Sequence, residues 1–148
     1  MKYIEIEAEN KTGNILKLIF ENINIEKYFY YIKDEEIHGD THQNRYVNCF
    51  KEIISGKELK EFIDNNLEYY MIFLTMFAFV NKEEVVGIYD LKSFEKSKSD
   101  LAFICWDVTN IIICFKEESF FNGVRNNLVK NKIKFKDLKE EDVKSLKF

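Results

Sequence analysis

The chain reads as an α+β protein: a single sheet, mixed or mostly antiparallel, with helices packed on it. Three observations lead there. Residues 67–80 form an apolar run interrupted only by Glu68 and Thr75, which suits a central strand buried on both faces. Helix-like and strand-like segments follow one another without the strict alternation of βαβ units. Residues 101–107 and 111–115 are apolar and separated by Val108-Thr109-Asn110, so a hairpin and at least one antiparallel pair are expected.

Each element has its own warrant. The central run falls short of the about 18–20 apolar residues of a membrane span. Its length permits a buried helix, but its Tyr, Phe, Ile and Val content favours a strand over residues 69–79, with a bend near Thr75 or Met76. Residues 2–8 alternate, with Ile4, Ile6 and Ala8 on one face and Tyr3, Glu5 and Glu7 on the other, as in a half-buried strand. Asn10 or Thr12 is placed to cap the following helix, Gly13 lies in the turn, and Ile15, Leu16, Ile19, Phe20 and Ile23 supply the inner stripe. Residues 27–33 are strand-like. Residues 34–45 are the most polar interval and read as a loop or hairpin tip, the segment expected to move most. Residues 46–54 suit a short strand or a helix equally. Ser55-Gly56-Lys57-Glu58 matches a capping box, with Leu59, Phe62 and Ile63 turned inward.

In the second half, residues 85–89 read as a short strand weakened by Gly87. Asp90 is placed to cap a short helix burying Leu91 and Phe94. Glu117 and Glu118 suit a helix start, where negative charge opposes the dipole, and Phe120, Val124 and Leu128 repeat down that helix with Phe121 alongside. Residues 132–138 alternate again, Ile133, Phe135 and Asp137 against Lys132, Lys134 and Lys136. A turn of helix is expected around residues 140–146.

The 148 residues suit one globular domain, residues 1–148, with a real core. Net charge is −4. Residues 116–148 hold nine Lys/Arg against six Asp/Glu, so the remainder is acidic. Such a body does not look like a nucleic-acid binder, which carries a strong basic excess, and no membrane partner is expected. Met1-Lys2 runs into alternating Ile and Glu rather than a signal core, and three cysteines make no disulfide framework. The expected compartment is the cytoplasm.

Four groups of residues bear on chemistry. His38, Asp40 and His42, with Cys49 nearby, are the one set of metal-ligand types; solvated loop histidines are the plainer account, because Gly39 and the polar setting supply no rigid support. Cys105 and Cys114 would face each other if Thr109-Asn110 were a two-residue turn, whereas a shifted loop would separate them into buried hydrophobes. Tyr28, Tyr30 and Trp106 are candidates for partner binding, since aromatics with a polar tip favour interfaces; the same residues suit half-buried sheet positions. Lys130, Lys132, Lys134 and Lys136 fit an edge strand guarded against aggregation, with a phosphate or acidic partner as the alternative. Phosphate loops, nucleophile elbows and Cys-x-x-Cys pairs do not occur, and no cofactor is expected.

A longer pattern runs through the chain: Ile4-x-Ile6 with Asn10 and Gly13, Tyr31-Ile32, Ile54-Ser55-Gly56-x-x-Leu59-x-x-Phe62-Ile63, Tyr69-Tyr70-x-Ile72-Phe73 and Tyr89-x-x-x-x-Phe94. With it the chain resembles a domain-of-unknown-function family of small uncharacterised proteins from spore-forming Gram-positive bacteria. The resemblance spans nearly the whole chain and implies no activity. The interval from His38 to Cys49 lies outside it. The sequence therefore leads to a non-enzymatic cytoplasmic domain that binds another protein, of inhibitor or immunity type. The alternatives are a small metal-dependent or small-molecule enzyme using His38, Asp40 and His42, and a homo-oligomer built through the sheet edge.

Overall fold

The computed structural model describes residues 1–8, 13–39, 50–65, 68–107 and 109–148. In chain order the elements are β1 (Lys2–Glu7), α1 (Ile15–Phe20), β2 (Phe29–Gly39), β3 (Ile53–Ser55), α2 (Gly56–Asp64), β4 (Tyr69–Phe79), α3 (Leu91–Lys96), β5 (Leu101–Trp106), β6 (Asn110–Phe115), α4 (Glu118–Lys130), β7 (Phe135–Leu138) and α5 (Glu140–Val143), with 3-10 turns at Ile25–Lys27 and Lys82–Glu84. The strands form one seven-stranded sheet in the order β3-β2-β4-β5-β6-β1-β7, every neighbouring pair antiparallel. The fold is α+β. Among the described residues no helix is long and apolar enough to cross a membrane.

The central run is β4, and its two sides feed two cores. Leu74, Met76 and Ala78 face the helices α1, α2 and α4, which contribute Leu16, Ile19, Leu59, Ile63, Phe120, Val124 and Leu128. Phe77 and Phe79 face the opposite way, toward Leu91 and Phe94 of α3 and Val143 of α5. Alternation is therefore present in β4 but invisible in its sequence, because both sides are apolar. Opposite the position of the expected bend, the bulge lies in the neighbouring strand: Ile32 pairs with Met76 and Asp34 with Thr75, leaving Lys33 as an extra residue of β2. A second bulge leaves Ile72 extra in β4, between the pairs Glu36–Phe73 and Ile37–Met71.

The caps follow the sequence. Ser55 and Glu58 form a complete capping box on α2, with Glu58 N–H donating to Ser55 Oγ at 3.2 Å. Asp90 accepts from Ser93 N–H at 2.7 Å on α3, and Glu117 accepts from Phe120 N–H at 2.7 Å on α4. The N-cap position of α1 is Asn14, without a side-chain capping bond; Asn10 and Thr12 lie outside the described residues.

Several expectations are corrected. Residues 34–39 continue β2 rather than forming a loop tip. Residues 85–89 are not a strand; they follow the turn at Lys82–Glu84 without regular structure. Tyr3, assigned to a solvated side, is 5% exposed, because α5 and the segment after it cover the second face there. Cys105 pairs with Ile111 and Cys114 with Ala102, so the two thiols stand three positions out of step and in different cores. Three residues, 107–109, join β5 to β6, and that odd loop sets the shift.

Candidate functional site

The helices on the first face cover it broadly, but α3 and α5 reach only part of the second. The second face is left open at the end where β2, β4 and β5 carry Asp34 to His38, Phe73 to Thr75 and Ile104 to Trp106. A cleft of about 510 Å³ lies there, roofed at one side by Leu146, Lys147 and Phe148. Two rows of register partners start in its floor and run on beyond it. One runs Glu36, Phe73, Trp106, Asn110, Glu7 across β2, β4, β5, β6 and β1. The next runs Asp34, Thr75, Ile104, Ile112, Glu5 and on to Lys136 of β7. Neighbouring residues in a row sit about 5 Å apart and point to the same face.

The floor is apolar and its margins are charged. Thr75 and Ile104 are closed off, while Phe73 remains 45% exposed and Trp106 half-buried. Asp34 is exposed and Glu36 partly so. Glu36 Oε1 lies 3.1 Å from His38 Nε2. Beyond the cleft, Lys136 Nζ lies 2.6 Å from Glu5 Oε2. The roof is pinned: Phe148 N–H donates to Tyr89 C=O at 2.8 Å, Lys33 Nζ donates to the main-chain oxygen of Phe148, and the Phe148 ring packs on Phe77 at 5.5 Å.

The sequence-derived candidates land in different places. Trp106 is in the cleft. Tyr28 and Tyr30 are not at a surface: they are 1% and 0% exposed, Tyr28 packs on Phe120 at 5.3 Å, and the Tyr30 hydroxyl donates to Ile25 C=O at 3.2 Å. Rings so enclosed serve the interior. His38 belongs to β2 and pairs with Tyr70; Asp40 and His42 lie outside the described residues. Among the described residues no group of three His, Cys, Asp or Glu could hold a metal ion. The residues that sequence reasoning did not assign to a site are Phe73, Asp34 and Glu36. Their one local signal was the spacing of Asp34, Glu36 and His38 at every second position, the period of one strand face.

The thiols offer little reactivity. Burial pushes Cys105 and Cys114 up to about 12, so at neutral pH neither supplies a thiolate. The Cys105 thiol is 3.6 Å from Met71 C=O. A second charged group, at the opposite end of the strands, is structural. Lys116 Nζ donates to Glu95 C=O at 3.0 Å and Ser97 C=O at 2.8 Å, and sits 4.7 Å from the Phe94 ring centre. Burial, with the nearby Glu117 carboxylate, raises Asp100 above the usual carboxylate value. Glu117 is itself lowered, chiefly by the Ser119 hydroxyl. These groups tie α4 and α3 to the sheet end.

An antiparallel sheet with helices on both faces and an open aromatic cleft defines a class of architecture rather than a chemistry. Over residues 1–147 the chain matches the family described as "Protein of unknown function (DUF2691)", and it belongs to that family. No curated protein and no solved structure matches it.

Proposed function

We propose that the protein is a non-enzymatic binding domain of the cytoplasm that receives a protein partner on the open end of its second sheet face. One observation carries this reading: Phe73 and Trp106, direct cross-strand neighbours, form an accessible aromatic pair at the centre of a cleft. Large rings left half-covered at the centre of a concave surface are the usual anchors of interfaces. Cys105 and Cys114 are free and buried. A reducing compartment suits those free thiols.

Site-specific photocrosslinking in growing cells tests it. p-Benzoylphenylalanine in place of Phe73 is expected to give a discrete protein adduct. The same probe in place of Val129, 60% exposed on α4, is the control. If position 73 yields no adduct beyond that of position 129, the reading is wrong.

A further inference from the structure

The residues around the aromatic pair narrow the chemistry of the occupant. Resting on the reading above, we infer that the cleft takes a cationic side chain, an arginine or lysine carried on an extended segment of a partner protein. The floor supplies the first half of the argument. Phe73 and Trp106 stand opposite each other on β4 and β5, and an indole face attracts a guanidinium or ammonium within about 6 Å of its centre.

The margins supply the second half. Glu36 is the next residue of the Phe73–Trp106 row and Asp34 heads the adjacent row, both on the cleft side of β2. Glu7 closes the first row from β1. The cations nearby are largely committed elsewhere. Lys136 is paired with Glu5, and Lys33 donates to Phe148 while lying 5.1 Å from the Tyr89 ring centre. Among the described residues, Lys147, exposed at the roof, is the cation of the lining itself. Asp34 and Glu36 outnumber it, so among the described residues the rim carries an acidic excess.

That excess discriminates between occupants. An apolar segment would strip water from the rim carboxylates and return no partner, which is costly. An acidic segment would be repelled. A small free cation is best held by a closed aromatic cage, whereas this cleft is open and two rings wide, a shape suited to one side chain of a longer chain. A second copy of this protein qualifies only if it presents Lys132, Lys134 and Lys136 at its β7 edge, and the test separates that outcome.

Trp106 is the only tryptophan in the chain, so its fluorescence reports on the cleft without labelling. The full chain is titrated with acetylated, amidated peptides Ser-Leu-Ser-X-Ser-Leu-Ser, X being Arg, Lys, Gln or Glu. A saturable change in emission is expected with Arg and Lys, with affinity on the order of ten-fold weaker for Gln and weaker still for Glu. Binding should weaken steeply between about 50 mM and about 500 mM salt, as the Debye length shrinks. The double variant Asp34→Asn, Glu36→Gln changes only exposed or part-exposed groups; it should keep the wild-type circular dichroism spectrum and lose the preference for Arg. The inference is overturned if the Gln peptide binds as tightly as the Arg peptide, or if the double variant retains the preference. In either case an adduct at position 73 would leave the binding reading intact. It is also overturned if no peptide alters the emission while position 73 crosslinks in cells. A doubled mass in sedimentation, abolished by Lys134→Ala with Lys136→Ala, would overturn it in favour of a second copy.

Discussion

Gly56 has no room for a side chain. A Cβ there would fall 2.2 Å from Ile25 O, 2.7 Å from Glu26 Cα and 2.8 Å from Tyr28 O, all main-chain atoms. Gly56 N–H also donates to Tyr28 C=O at 2.7 Å. Gly56→Ala is therefore expected to lose roughly 2–3 kcal/mol or more, the cost of overpacking where backbone must move. Gly123 of α4 is the contrast: its Cβ would meet no main-chain atom, only Cγ1 and Cδ1 of the half-buried Ile23 side chain, each at 3.1 Å. There Gly→Ala gains up to about 1 kcal/mol of helix propensity, so urea denaturation should rank the variants on opposite sides of wild type. The capping box was legible in Ser55 and Glu58 because both partners lie within one turn. The reason for the glycine between them was not, because the atoms it must clear belong to a distant segment. Asp100 gives a second residue-scale prediction. Burial and Glu117 raise its pKa above the ordinary 3.8, so the folded chain holds that proton more tightly than the unfolded chain. Its charge therefore lowers stability as pH rises through 3.8, and the penalty is complete above the folded value. Asp100→Asn should be more stable than wild type at pH 7, and the difference should vanish below that window. A stability difference independent of pH would contradict the assignment.

At the scale of elements, what could be read was whatever carries its own period. The stripes of α1, α2 and α4 and the hairpin of β5 and β6 were legible for that reason. The far half of β2 was not. Asp34, Glu36 and His38 face the uncovered end of the sheet, so no apolar alternation marks them, and polar residues without a pattern look like a loop. The cleft was hidden for the same cause: its acidic wall is the part of β2 that does not resemble a strand, and its aromatic pair comes from two strands that only the register brings together. The seating of α4 on α1 was equally silent. Asn127, 7% exposed, donates through Nδ2 to Ile19 C=O at 2.9 Å and Glu21 C=O at 2.7 Å, satisfying carbonyls where α1 gives way to the positive-φ residue Asn22. Asn127→Ala leaves those carbonyls unmet in a tight contact, for a loss of about 2 kcal/mol. Asn127→Asp should cost more, since a carboxylate would face two carbonyl oxygens. Equal losses for the two variants in urea melts would show that packing volume, rather than the donated hydrogen bonds, holds α4 in place.

Across the whole molecule, the feature that no local pattern encodes is the place of β1. It lies between β6 and β7, so the first described strand holds the later strands together. Ile6 sits at that junction: it pairs with Ile111 on one side and Phe135 on the other and is fully buried. The β7 edge has little else to hold it. It is four residues long, its ladder runs along β1 alone, and only Phe135 and Leu138 pack partly into the two cores. Ile6→Ala removes three buried carbons and is expected to cost about 3 kcal/mol, within the usual range for such truncations. The loss should be unevenly distributed. In β4 and β5, paired on both sides at the sheet centre, amide exchange should still require global opening and quicken in step with the full loss of stability. In β7 the amides should exchange through a cheaper local opening that gives up only the Ile6–Phe135 part of the truncated contacts, so their protection falls by less than the global loss. Hydrogen exchange followed residue by residue distinguishes the cases. A uniform fall across β4, β5 and β7 would mean that the edge opens only with the whole sheet, and β1 would then be one strand among seven rather than the clasp of the fold.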